Sequence, residues 1–306
     1  ASAAYKIHTL ENPMPHSTYL PEKMGTAVVQ PVGSFEAGSF ASFVLTYTAG
    51  YFGIDDTGSI KVVHRFASDM GRPQFDNPKA PNYVTVAASN GAILHVEYDM
   101  KRNIRPWDKT IYIKVVRGFL REGDQIVINF GDRSGGSPGI RVQTFCEDTF
   151  EFRVLVDAIA VYNYVELPRQ PEIKIIPGKP VLWKAIVPTE RRVDESFRLS
   201  LKGEDCWGNP TNQCDQTFVL RANVAIHGLP ATVTFTPGEF AVVLEDLSVS
   251  QAGDLMIELL TEDGVKVATS NPLRMTTTTQ LLPVWADLHG QSEETMGTNS
   301  ARAFFS

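Results

Sequence analysis

Apolar residues recur at every second position in short runs, and this period limits what the chain can fold into more than any other feature. In Gln125-Ile126-Val127-Ile128-Asn129-Phe130, the side chains of Ile126, Ile128 and Phe130 fall on one face. Ile111, Ile113 and Val115 repeat the pattern, as do Phe152, Val154 and Val156. Successive side chains on a strand point to opposite sides, so each run builds one buried face and one wetter face. The runs are separated by turn chemistry: Asp55-Asp56-Thr57-Gly58, Arg121-Glu122-Gly123-Asp124 and a long Gly131–Gly139 loop. Across the chain there are 23 Gly and 19 Pro, a density that suits many short strands joined by turns. No amphipathic helix of more than two turns is legible before residue 290. The fold expected is mainly β.

Organisation follows from where the pattern changes. Residues 1–32 are polar and Pro-punctuated and read as an N-terminal arm. A first β-rich domain is expected over 33–168, ending at the Pro168–Pro171 break. A second set of runs follows: Phe197, Leu199 and Leu201, then Val233 and Phe235, then Leu255–Leu260 and Val265–Ala268. Turns at Gly228-Leu229-Pro230, Pro237-Gly238 and Glu262-Asp263-Gly264 fall between them. Over 169–280 this predicts an immunoglobulin-like β-sandwich, without the Cys…Trp…Cys spacing of true immunoglobulin domains.

Charge and cysteine content exclude several classes. The net charge of −7 argues against nucleic acid as a partner, which calls for a basic stripe to neutralise phosphates. No run of 18 apolar residues is present, so a helical membrane span is not expected. Three cysteines, Cys146, Cys206 and Cys214, are too few for a disulfide-stapled scaffold. A pairing of Cys206 with Cys214 is left open. A cytoplasmic setting is the expectation, with a periplasmic or secreted one open if a signal peptide has been removed.

The tail carries different chemistry. Val284-Trp285-Ala286-Asp287-Leu288-His289-Gly290-Gln291-Ser292 reads as a strand running into a loop, with Asp287, His289 and Gln291 on one face. An acid and an imidazole projecting together from a strand end form a small metal-ligand arrangement. Thr298-Asn299-Ser300 supplies capping residues before Ala301-Arg302-Ala303-Phe304-Phe305, the opening of an amphipathic helix that Ser306 cuts short. A strand and a helix fragment cannot bury their apolar faces alone. Residues 281–306 are therefore expected to be the truncated start of a third domain.

Trp285–Thr298 resembles the opening of the catalytic domain in a bacterial family of largely unknown function. That family is related to the PHP (polymerase and histidinol phosphatase) metal-dependent phosphoesterases. Upstream landmarks in the same order are Arg105-Pro106-Trp107, Gly131–Gly139 and Asp205-Cys206-Trp207-Gly208-Asn209-Pro210. The resemblance implies two β domains followed by a β/α metallohydrolase barrel that begins near residue 284. It also implies that His289 is the barrel's first metal-ligand histidine, with Asp287 a ligand or an orienting group. Gln291 stands where the usual Asp-Leu-His-x-His pattern has its second histidine, and an amide oxygen is a weaker, harder donor than imidazole. Glu293 and Glu294 are further candidates for catalysis, and most catalytic groups and the remaining metal ligands are expected beyond Ser306. The cofactor implied is a divalent ion, Zn, Mn or Fe, that activates water for hydrolysis of a phosphoester or other ester bond in a small-molecule substrate. The 306-residue piece alone is expected to be inactive, with the remainder of its catalytic domain as its first partner and a homo-oligomer left open.

Two other loops attract functional readings. Backbone N–H groups in the Gly-rich 131–139 loop are able to cradle an anion. No Gly-Lys-Ser/Thr ending follows it, so a structural connection is the simpler account, with Asp132 and Arg133 as candidate walls of a substrate cleft. Asp205, Cys206, Asn209, Asn212, Cys214 and Asp215 contain metal-ligating types at a spacing that matches no known finger or calcium loop. The rival to the hydrolase is a non-catalytic tandem β-sandwich that binds carbohydrate or protein.

Overall fold

The computed structural model describes residues 20–278, together with 290, 292 and 300–302. Its regular structure is almost all strand, and the mainly β, sandwich-like class expected from the alternation holds. Ala301 and Arg302 have helical backbone, and the rest of the helix expected over 301–305 lies outside the described residues. No helix among the described residues is long and apolar enough to cross a membrane.

The chain divides into two compact units. The first takes residues 20–33, 40–141 and 149–173, and the second takes 34–39, 142–148 and the chain from 174 onward. The short segments 34–39 and 142–148 belong to the second unit by their bonding. Ser34–Glu36 pairs in parallel with Lys174–Ile176, and Gly38 N–H donates to the Gln143 carbonyl at 2.9 Å.

The first unit has two antiparallel sheets. One runs in the order Gly25–Gln30, Phe43–Ala49, Gln125–Phe130, Val84–Ala88. Gly25–Gln30 falls inside the stretch read as a polar arm, and it forms this sheet's edge strand with Val29 as its buried residue. The other sheet runs Val165–Glu166, Arg153–Asp157, Ser59–His64, Lys109–Arg117, Ile93–Asp99. The three alternating sets read from the sequence are the unit's core, for Ile126, Ile128, Phe130, Ile111, Ile113, Val115, Phe152, Val154 and Val156 are all buried. Phe43 stacks on Phe130 with centroids 4.9 Å apart, and Phe152 packs on Phe130 at 5.2 Å. His64 joins this aromatic group at 5.9 Å from Phe150 and is itself fully enclosed.

The five-stranded sheet departs from the expected one wet face. Val63, Thr110 and Tyr112, whose spacing puts them opposite the core, are buried as well. The reason is a layer of cations laid on aromatic rings, an attraction between positive charge and the negative ring face. Lys61 Nζ sits 4.0 Å from the Tyr164 ring centre, Arg102 lies 3.9 Å from that of Tyr112, and Arg153 lies 4.0 Å from that of Trp107. Trp107 belongs to the Arg105-Pro106-Trp107 landmark, so that tripeptide covers the sheet's outer side.

The second unit is also built on facing sheets. Leu182–Ile186 and Val242–Leu247 flank Phe197–Glu204. The second sheet has the order Thr232–Phe235, Gln216–Ala222, Ile257–Leu260, Lys266–Thr269. Phe197, Leu199, Leu201, Val233 and Phe235 all lie in one buried cluster. Trp183 closes it, 4.4 Å from Phe218 and 5.0 Å from Phe235 between ring centres. A parallel pair, Glu190–Arg192 with Leu273–Thr276, adds a register that alternation alone does not reveal.

Candidate functional site

Asp287, His289, Gln291, Glu293 and Glu294 lie outside the described residues, as does Ser306, beyond which the other ligands and catalytic groups were expected. Among the described residues, no three His, Cys, Asp or Glu side chains gather as a metal would require. Asp132 and Arg133 are described, and their polar groups bond within the first unit. Asp132 accepts from Thr85 Oγ1 at 2.7 Å and from the Ser134 N–H at 2.9 Å. These bonds, the Ser134 backbone first, hold its carboxyl below the usual range. Arg133 Nη2 donates to the Phe40 carbonyl at 2.8 Å. Gly131 is required where it stands, because a Cβ there would lie 2.3 Å from the Ile140 nitrogen and its φ is +66°.

The Asp205–Pro210 landmark is a clamp. Asp205 Oδ1 accepts the N–H groups of Trp207 and Asn209, each at 2.9 Å. Oδ2 accepts Asn209 Nδ2 at 2.9 Å and the Gly178 N–H at 3.0 Å. Burial pushes this carboxyl's pKa up, and the hydrogen bonds from Asn209, Gly178 and Trp207 together outweigh it, so the net shift is downward. Asn209 extends the clamp, taking the Cys146 N–H on Oδ1 and giving Nδ2 to the Thr144 carbonyl. Cys146, Cys206 and Cys214 are free thiols, and Cys214 is buried.

One candidate ligand site lies at one end of the first unit's sandwich. It is a cleft of about 560 Å³ lined by the Phe66–Arg72 loop with Asn82, Tyr98, Met100, Lys109 and Arg141. Strand register explains two of these positions. Tyr98 pairs with Ile111, and Lys109 pairs with His64. Paired residues share a face, so Tyr98 and Lys109 occupy core-facing positions where the sheet runs out towards solvent. Polar residues at the end of an inner face turn the mouth of the core into a polar-lined hollow.

The loop over this hollow is tied along its length. Phe66 N–H donates to the Pro106 carbonyl at 2.9 Å, and Gly71 N–H to the Arg141 carbonyl at 2.8 Å. The Met70 N–H donates to Ser68 Oγ at 3.1 Å. Asn82 Oδ1 accepts the Arg141 N–H at 2.9 Å, and a Cβ on Gly71 would lie 2.1 Å from that same oxygen. Lys109 Nζ donates to the Ser68 carbonyl, while Arg141 reaches both the Asp69 carbonyl and its carboxylate, the latter at 3.4 Å. Desolvation lowers the Lys109 pKa. Burial first, then the carboxylates of Asp108 and Asp99, raises Tyr98 to about 12 against the pull of Arg72, so its hydroxyl remains a donor at neutral pH. The hollow offers guanidinium, ammonium, phenol and amide groups beside the apolar Phe66, Met70 and Met100.

Sequence reasoning missed this cleft. Its residues come from five separate stretches of chain, and no motif joins them. The one local signal is Asp69-Met70-Gly71-Arg72-Pro73, a charged turn between a strand and a proline.

No protein-family profile matches the chain, and no curated protein sequence does. Among solved structures it is similar to the Yersinia pseudotuberculosis adhesin InvE, at 12% identity and a TM-score of 0.26 over 84% of this chain and 60% of that one. It is also similar to the cohesin module of a family 33 glycoside hydrolase from Clostridium perfringens ATCC13124, at 12% identity and a TM-score of 0.32 over 51% of this chain and 99% of that one. The chain thus spans about 60% of the adhesin chain's length.

Proposed function

We propose that the two β units serve as a non-catalytic binding module, and that the first unit's cleft takes a saccharide-sized polar ligand. The tied cleft carries this reading. Its volume falls within the range of small-molecule sites, a few hundred Å³ upward, and its loop is already ordered. Hydroxyl-rich ligands with apolar C–H faces suit a wall that mixes Phe66, Met70 and Met100 with Tyr98, Ser68 and Asn82.

A monosaccharide of about 12 non-hydrogen atoms, at roughly 0.3 kcal/mol each, gains about 4 kcal/mol, a dissociation constant near ~1 mM. Titration of the ¹⁵N-labelled chain with D-galactose and with D-galacturonate is therefore the fitting measurement. Amide shifts are expected in 66–72 and around Tyr98 and Arg141, and Tyr98→Ala should remove them while the remaining spectrum stays folded. Shifts absent for both sugars, or confined to other regions, would reject the site.

A second reading concerns residues 285–298 and rests on their resemblance to PHP-related sequences. In the full-length protein, Asp287 and His289, with Gln291, would help hold a divalent ion that activates water. Metal analysis of that protein should find bound Zn, Mn or Fe, and His289→Ala should lower both metal content and hydrolase activity. Unchanged metal in the variant would remove His289 from the ligand set.

A further inference from the structure

We propose that the ligand of the first unit's cleft is an acidic sugar whose single carboxylate is engaged by Arg72. This inference rests on the saccharide reading of that cleft and adds the charge of its ligand.

Three cations, Arg72, Lys109 and Arg141, line the hollow, with Asp69 as the one acid on the lining. Two of the three hold the loop in place. Arg141 is spent on Asp69 through both its carboxylate and its carbonyl, and Lys109 on the Ser68 carbonyl. Arg72 differs, for its side chain has neither a hydrogen bond nor an ion pair among the described residues. Its backbone is nevertheless fixed. Gly71 and Pro73 on either side are buried, Gly71 N–H is bonded to the Arg141 carbonyl, and the proline ring locks the next φ. A guanidinium without a hydrogen-bonding partner is thus held on a rigid base near the Lys109 ammonium, open to an incoming anion. Guanidinium presents parallel N–H groups that match a carboxylate in bidentate fashion.

The charges on the lining favour an anion. The lining itself carries one carboxylate, Asp69, against three cations. One added carboxylate meets Arg72. Bare phosphate would meet the cations but leave the apolar lining uncovered, whereas a sugar acid meets both. Tyr98 and Asn82 add neutral polar groups to the lining, and Phe66, Met70 and Met100 add apolar ones.

The test is calorimetric or NMR titration of the whole chain with D-galacturonate, D-galactose, acetate and inorganic phosphate, repeated on Arg72→Gln. Arg72 is exposed, so the variant is expected to fold normally. Galacturonate should bind about tenfold more tightly than galactose, the contribution of one charge-assisted contact. In Arg72→Gln the two sugars should bind equally, and acetate and phosphate should each bind more weakly than galacturonate to the native chain. Equal binding of the two sugars to the native chain would overturn the acidic ligand and leave the saccharide site standing. Acetate or phosphate matching galacturonate would make the cleft a general anion site and overturn the sugar acid. Binding by neither sugar would remove the underlying reading itself.

Discussion

Asp205→Ala should destabilise the second unit by about 3 kcal/mol or more, a larger effect than any exposed substitution in this chain is expected to produce. Asp205 is 3% exposed, and its carboxylate takes four donors: the N–H groups of Trp207, Asn209 and Gly178, and Asn209 Nδ2. Alanine leaves all four facing a hole. Hydrogen bonds to a charged group are worth about 1.5–3 kcal/mol each, and donors that lose a buried acceptor lose their compensation for desolvation. Asn209 then loses its hold on Thr144 and Cys146, so the damage spreads to the 142–148 segment. Asp205→Asn keeps the shape but turns an NH2 group towards one pair of donors, and an intermediate loss of about 1–2 kcal/mol is expected. Urea unfolding with an unchanged m-value would measure both. A loss below about 1 kcal/mol for alanine would show that the clamp closes without its carboxylate.

The clamp and the cleft show what sequence can and cannot disclose here. Strand positions were legible because burial imposes a period of two. Ile126, Ile128 and Phe130 announce themselves locally, whatever they pack against. The Asp205 loop was legible as a turn, since Asp, Gly, Asn and Pro favour one. Its role as a satisfied carboxylate was not, because two of its contacts, Gly178 and the Asn209 bond to Thr144, lie 27 and 65 residues away. The double burial of Ser59–His64 was hidden for the same reason. Lys61 and Arg153 look like solvated charges until Tyr164 and Trp107 arrive from elsewhere. The cleft is the extreme case, for register alone brings Tyr98 and Lys109 to its wall. A residue such as Arg72 carries no sign in the sequence that it will be left without a partner.

Mild acid should weaken the first unit before the second, with His64 as the cause. Its imidazole is fully enclosed beside Phe150 and Phe152, and Nε2 has no hydrogen-bond partner. Burial first, and the nearby Lys109 charge second, push its pKa down to about 3. An unfolded histidine titrates near ~6.5. Between those values the unfolded chain binds a proton that the folded one refuses, so stability falls as pH drops through this window. The slope approaches ~1.4 kcal/mol per pH unit, and the loss reaches about 2–3 kcal/mol by pH 4.5. Asp205 acts in a lower window. Its folded pKa is depressed, so its stabilisation is full above the unfolded value near ~3.9 and is lost only as pH falls further. Amide hydrogen exchange at pH 7.5 and pH 5, corrected for intrinsic rates, should therefore show protection falling in Ser59–His64 and Lys109–Arg117. Protection in Phe197–Glu204 should hold. His64→Phe keeps a ring in the aromatic group without the titrating nitrogen, and should flatten the first unit's pH dependence between about 6.5 and 4. The same slope in the variant would place the acid sensitivity on another group.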